Sequence, residues 1–120
     1  MKPKINKTRF GEITIEKQDF DYDIIIRLSG EIQKRKKKLS KEVFGTSHKI
    51  SKEEAEYVFE EGVEKVVIGT GQSGMVRLSK EAKEFFASQG CKVKLLPTPE
   101  AIEYWNNKDG KIVGLFHITC

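Results

Sequence analysis

Cysteine is scarce in this chain of 120 residues, occurring only as Cys91 and Cys120. Two thiols are too few for a disulfide framework or a four-thiolate zinc site, and both are expected to stay reduced. No apolar run approaches the roughly 20 residues that a membrane-crossing helix needs. The opening Met-Lys-Pro-Lys-Ile-Asn-Lys leads into no secretory leader, so a cytoplasmic location without a membrane partner is the expectation. Histidine occurs only at His48 and His117, too far apart in sequence to form a metal-ligand spacing, and no cofactor is implied. No Gly-Lys-Ser/Thr triplet exists, which excludes a P-loop. Internal repeats and linker-like breaks in composition are also missing, so residues 1–120 read as one domain around one core.

Charge, by contrast, is plentiful. Charged residues make up 33% of the chain and apolar residues 38%, as in a soluble globular protein. Lys and Glu supply 18 and 14 residues, a surface of the kind that heat-adapted microbial proteins favour. The net charge of +4 is uneven: residues 1–50 carry 13 Lys/Arg against 7 Asp/Glu, and the remainder carries 9 against 11. An anionic partner would therefore favour the N-terminal half. The densest cationic run is Lys34-Arg35-Lys36-Lys37-Lys38. With no interleaved aromatic, recognition helix or zinc finger, it reads as a solvated turn rather than a nucleic-acid contact.

Residues 12–17 alternate Ile13 and Ile15 with charge, the period of a half-buried strand. Residues 19–23 turn the chain, 22–28 form a second strand through Ile24, Ile25 and Ile26, and 31–35 extend it after Ser29-Gly30. The first third is thus a β-meander. Asp19, Asp21 and Asp23 are spaced two apart, but the glycine and closing Glu of a calcium loop are missing, which makes them turn acids. Residues 39–50 lack a period and read as a loop crossing the core, placed to act as a lid, with Val43 and Phe44 tucked beneath.

The remainder has an α/β rhythm. Ser51 with Glu54 makes a capping box, Ala55, Val58 and Phe59 form the stripe of the helix that follows, and Gly62 ends it. A buried strand over 63–68, a helix from Ser79 to Gly90 carrying Ala82, Phe85 and Phe86, and another buried strand over 91–96 follow. Thr98 as cap and Pro99 as first helical residue open a third helix through Ala101, Ile102 and Trp105. The closing strand, 111–119, turns Val113, Leu115, His117 and Thr119 to one face and Ile112, Phe116 and Ile118 to the other. The fold class is α/β: an N-terminal β-meander packed beside a mixed sheet flanked by about three helices, in a single domain.

The central strand opens into Gly69-Thr70-Gly71-Gln72-Ser73-Gly74, formally a dinucleotide fingerprint. Met75-Val76-Arg77-Leu78 separates it from the next helix, and the following strand ends in Leu95-Leu96-Pro97 without the ribose-binding acid, so a Rossmann site is not expected. What remains is a nest of amides from Thr70 to Gly74, with Arg77 nearby, for a carboxylate or phosphate. The competing account is a tight strand exit, with Arg77 paired to an acid such as Glu81. A His117–Cys120 nucleophile is opposed by strand alternation, which sends residues three apart to opposite faces.

The tail Gly110-Lys-Ile-Val-Gly-Leu-Phe-His-Ile-Thr-Cys120, with Val67-Ile-Gly-Thr-Gly71 and Thr98-x-x-Ala101-Ile102, resembles the Mth-domain family. The ending from Val113 is the most specific part, and Trp105-Asn106 stands where that family has Tyr-Asn. The resemblance implies a compact domain of strands beside a helix-flanked mixed sheet. It implies no catalytic residue and no cofactor, and a distant relative is a mitochondrial complex I assembly factor. Two functions stay open. One is a non-catalytic protein-interaction or assembly/adaptor factor whose partner is another protein. The other is a small-molecule or anion-binding protein, conceivably an enzyme, using Gly69, Thr70, Gly71, Gly74 and Arg77, with Asn106 and His117 as outer candidates.

Overall fold

A computed structural model describes residues 2–120. In chain order the elements are β1 (Ile5–Arg9), β2 (Glu12–Ile15), β3 (Gln18–Phe20), β4 (Ile24–Ile26), β5 (Ile32–Lys34), α1 (Lys38–Phe44), β6 (Lys49–Ile50), α2 (Lys52–Val58), β7 (Lys65–Thr70), β8 (Arg77–Leu78), α3 (Lys80–Ser88), β9 (Lys92–Leu96), α4 (Thr98–Asn107) and β10 (Ile112–His117). The α/β class holds, with four helices among the described residues where about three were expected. The fourth is α1, formed within the span read as a crossing loop, and Val43 lies on its outer side, 52% exposed, instead of under it. Seven residues without a clear apolar stripe leave no period to read.

Five strands form the central sheet in the order β5-β4-β10-β7-β9. β10 is the middle strand, parallel to β7 and antiparallel to β4, and β7 is parallel to β9. Alternation along β10 divides the core. Val113 and Leu115 join Ile25, Val66 and Ile68 under α2 and α3, where Ala55, Val58, Ala82 and Phe86 close the layer. Ile112 and Phe116 join Ile24, Ile26 and Val67 on the opposite face, beneath Ile5, Ile13 and Ile15 and the α4 residues Ala101, Ile102 and Trp105. The faces expected for the closing strand are therefore the observed ones.

The meander is shorter than expected. Only β1, β2 and β3 form the separate antiparallel sheet, while β4 and β5 belong to the central one. The chain reverses at Glu16-Lys17, both at positive φ, and within 19–23 it bends only at Asp21-Tyr22, after β3. A turn of this geometry normally advertises itself with Asn-Gly, and Glu-Lys carries no such signal. β9, expected to be buried, is the sheet edge, with Lys92, Lys94 and Leu95 exposed.

Capping also differs in detail. Ser51 Oγ accepts from the Glu54 amide at 3.0 Å, but Glu54 does not reach back to the Ser51 amide, which donates instead to Ser40 Oγ at 2.9 Å. Thr98 is the first residue of α4 rather than its cap. Its hydroxyl donates to the His117 carbonyl at 2.5 Å and accepts from the Gly71 amide at 2.9 Å, bridging β10 to the glycine loop. Gly62, at positive φ, lies in the turn beyond α2, whose last residue Val58 is followed by an extended Phe59.

The glycine loop is closed by the chain's last residues. The Gln72 amide donates to the Thr119 carbonyl at 2.7 Å, and Met75 donates to the Cys120 carbonyl at 3.1 Å. Gly71 has φ +106, and a Cβ there would stand 2.3 Å from the Cys120 carbonyl carbon and 2.9 Å from His117 Cδ2. Gly71→Ala is expected to cost at least about 3 kcal/mol in urea unfolding, combining backbone strain with a clash against main chain. Gly45→Ala, at φ +73 with nothing within 4 Å of the added methyl, should cost only about 1–2 kcal/mol.

Candidate functional site

The parallel strands β7 and β10 end together at Thr70 and His117, and ligand sites in α/β sheets collect beyond such carboxyl ends. What the chain builds there is a buried ionic network. Asp23 immediately precedes β4, Arg35 immediately follows β5, Glu54 lies in α2 and His117 ends β10; all four are buried. The network therefore joins three adjacent strands to a helix.

Arg35 is its centre, only 4% exposed. Its Nε and Nη2 donate to the two Glu54 oxygens at 2.6 and 3.0 Å, Nη1 donates to Asp23 Oδ2 at 2.9 Å, and Nη2 also donates to the Ser47 carbonyl at 2.8 Å. This is the bidentate fork that a guanidinium offers and an ammonium does not. Glu54 Oε1 further accepts from Ser40 Oγ at 2.5 Å. Asp23 Oδ2 meets His117 Nδ1 at 2.7 Å, and Oδ1 accepts from the Ile118 amide at 2.9 Å. Lys37 Nζ, half-buried, stands 3.7 Å from Asp23 Oδ2. Among the described residues no buried side-chain polar atom lacks a hydrogen-bond partner.

Two carboxylates around one guanidinium would leave excess negative charge, which Lys37 relieves. Burial pushes the Asp23 carboxyl up. The His117 hydrogen bond and charge, the Ile118 amide and the Arg35 guanidinium outweigh it and bring the carboxyl down to about 2. Burial opposes the charge on Arg35, but Glu54 and then Asp23 raise its pKa above the ordinary value. The remaining ring nitrogen of His117, Nε2, lies 3.1 Å from Thr119 Oγ1. The His48 ring packs edge-on against His117 at 5.4 Å, and burial together with the charges of His117, Arg35 and Lys37 lowers its pKa.

Sequence distance thus concealed two neighbours, since His48 and His117 touch. No group of three His, Cys, Asp or Glu residues suited to a metal ion forms among the described residues. The three aspartates part company. Asp19 accepts from Thr14 Oγ1 at 2.6 Å, Asp21 is exposed, and Asp23 is a buried ion partner rather than a turn acid. The lysine run is likewise not a solvated turn throughout, because Arg35 points inward and holds it.

The glycine-loop candidates gather at the same end of the sheet. Amides of Gly71, Gln72, Gly74 and Met75 donate to Thr98 Oγ1 and to the carbonyls of Thr119, Gly71 and Cys120. Each is already satisfied within the chain. Thr70 is buried, and Gly69 packs so tightly that a Cβ would stand 2.9 Å from Thr98 Oγ1 and Phe116 Cδ1. Arg77 is exposed in β8, beside Lys49 of β6, and forms no ion pair with Glu81 among the described residues. Asn106 stands apart: its amide group donates to the Ile5 carbonyl at 2.8 Å and accepts from the Ile5 amide at 3.0 Å, fastening β1 to α4. Thr119, not Cys120, meets His117; Cys120 is an exposed thiol and Cys91 a buried one.

Sequence reasoning missed Asp23, Arg35 and Glu54 as a set. The available signal was an arginine among lysines, the one cation of the run able to satisfy two carboxylates in a plane.

A five-stranded mixed sheet between two helices on one side and a small β-sheet with a helix on the other is the α/β fold of a Mth938-like domain. The chain belongs to the family described as protein of unknown function (DUF498/DUF598), whose model matches residues 5–116. A solved relative, the conserved hypothetical protein PH1505 from Pyrococcus horikoshii OT3, is 37% identical, with 98% of this chain and 99% of that one covered and a TM-score of 0.88. The protein titled MT938 is 29% identical, with coverage of 98% and 99% and a TM-score of 0.82. A Mth938-like domain from Bordetella pertussis shares the fold at 14% identity, with coverage of 97% and 85% and a TM-score of 0.66. The resemblance read from the tail is thereby established at the level of the family.

Arg35→Met is expected to cost about 3–5 kcal/mol, because two carboxylates are left buried without their cation, and Arg35→Lys should recover little. Asp23 has a folded pKa below its unfolded value of about 3.9, so its contribution to stability is complete above about pH 4 and disappears as pH falls through about 2. Denaturant midpoints measured between pH 5 and pH 2 should show this decline, and Asp23→Asn, already destabilised at pH 7, should show a shallower one.

Proposed function

We propose that this domain works by contacting another protein and not by catalysis, through the face at the carboxyl ends of β7 and β10. The observation that carries the reading is a contrast at that face. The amides of Gly71, Gln72, Gly74 and Met75 are bonded internally, while two large apolar side chains, Phe10 and Met75, are 68% and 52% exposed. Both belong to segments bonded to the same short stretch: Gly11 donates to the Ile118 carbonyl, and Met75 donates to the Cys120 carbonyl. Gln72 Nε2 ties the two segments together by donating to Thr8 Oγ1 at 3.0 Å and to the Arg9 carbonyl at 3.2 Å.

Exposed apolar side chains rimmed by polar groups are the usual form of a protein contact. Arg77, exposed two residues after Met75, favours a partner segment that places an acidic residue beside an apolar anchor. An assembly or adaptor role is the form suggested by analogy with the distant complex I assembly factor. Unpaired thiols fit a cytoplasmic setting, and among the described residues no helix is long and apolar enough to cross a membrane. Anion binding at the glycine loop has less support, because the amides of Gly71, Gln72, Gly74 and Met75 are already bonded within the chain.

A photo-crosslinking residue at Phe10 should capture a discrete protein partner in cells, whereas the same residue at exposed Gln89, beyond α3, should not. Met75→Asp should reduce the Phe10 adduct about tenfold while leaving the melting temperature within a few degrees. Equal adducts at both positions, or an adduct indifferent to Met75→Asp, would overturn the reading.

A further inference from the structure

One feature of the surface lies apart from this contact face. A cleft of about 660 Å³ opens between the start of β4 and the span from β5 to α1, a volume within the range of small-molecule sites. Lys34, Lys36, Lys37 and Lys38 line it, and Tyr22 and Leu39 add apolar surface. Asp21 and Asp23 are the acids on its wall. Asp23 is already shared by Arg35, His117 and Lys37, which leaves the charges of Lys34, Lys36 and Lys38 opposed by Asp21 alone on that wall.

What distinguishes this run from an ordinary lysine-rich turn is Arg35. Four hydrogen bonds fix its side chain inside the protein, so the residues on either side are held outward. Lys34 Nζ lies 5.4 Å from the Tyr22 ring centroid, and Lys36 Nζ lies 4.5 Å from that of Tyr57. The backbone also returns upon itself here, with Leu39 and Ser40 donating to the carbonyls of Lys36 and Lys37. A pre-positioned set of cations binds an anion without first losing the conformational freedom of a flexible loop.

We propose that this cleft is a binding site for a small, multiply charged phosphate ester, with its phosphates against Lys34, Lys36 and Lys38 and its organic part against Tyr22 and Leu39. Two or more negative charges match the three lysines, and a cleft of this size holds a nucleotide-sized molecule rather than a stretch of duplex. The site lies on the basic N-terminal half of the chain and shares no side chain with Phe10 and Met75, so it stands or falls independently of the protein contact.

Calorimetric titration of the whole chain with pyrophosphate and with ATP, at 50 and 200 mM NaCl, tests it. The expected result is saturable one-to-one binding of both probes, weakened at least tenfold by Lys34→Glu and by Lys38→Glu. Both side chains are exposed and outside the buried network, and an unchanged melting temperature will verify that these variants fold. Lys111→Glu makes the same charge change elsewhere and should leave binding within twofold. Tyr22→Ala should weaken ATP more than pyrophosphate. Three results would overturn the proposal: no saturation by either probe below about 10 mM, an equal loss in Lys111→Glu, or binding to oligothymidylate that strengthens with its length and exceeds that of ATP, the mark of a polyelectrolyte contact.

Discussion

The constraint on which the rest of this structure depends is that Arg35 is buried between two carboxylates. A guanidinium removed from water must have its donors met, and here Glu54, Asp23 and the Ser47 carbonyl meet them from three separate parts of the chain. The β4–β5 hairpin, the α1–β6 connection and α2 are consequently held in one arrangement. Much of the Coulombic gain of such a network is offset by the cost of desolvating its charges. Removing any one member, however, leaves a charge stranded.

The hydrophobic core sets the layers, and the network sets how their ends meet. β10 provides both. Its odd residues face α2 and α3, its even residues face the small sheet and α4, and His117 at its end turns into the ionic network. Beyond that strand the chain's last residues seal the glycine loop. The loop's tight backbone serves that seal: at Gly71 a methyl group would stand only 2.3 Å from the Cys120 carbonyl carbon. The glycine pattern thus has a packing role at this seal. The same end of the molecule is left with apolar side chains facing solvent on one side and an ordered row of lysines on another.

Periodicity made the core legible before any coordinates. Ile13 and Ile15, the Ala82–Phe86 stripe, Ala101, Ile102 and Trp105, and the two faces of the last strand all follow from local spacing, because burial of a face requires a repeat matched to the element. The polar site was not legible in this way. Asp23 sits among two other aspartates, Arg35 among four lysines, and Glu54 three residues after a capping serine, so each had an adequate local explanation that concealed its distant partner. α1 and the Glu16-Lys17 turn were lost for a related reason: neither uses the residues that normally announce such a structure.

What the sequence determined by itself was the α/β class, the apolar faces and the family resemblance, all of them properties of short-range order and of residues that stay in register with their neighbours. Tertiary structure alone decided which charges are buried together, which amides of the glycine loop are already satisfied, and which face of the lysine run looks outward. Those outcomes depend on contacts between residues as far apart as Asp23 and His117. A local pattern cannot encode them, because the cost of burying a charge is settled only when its partner arrives from elsewhere in the chain.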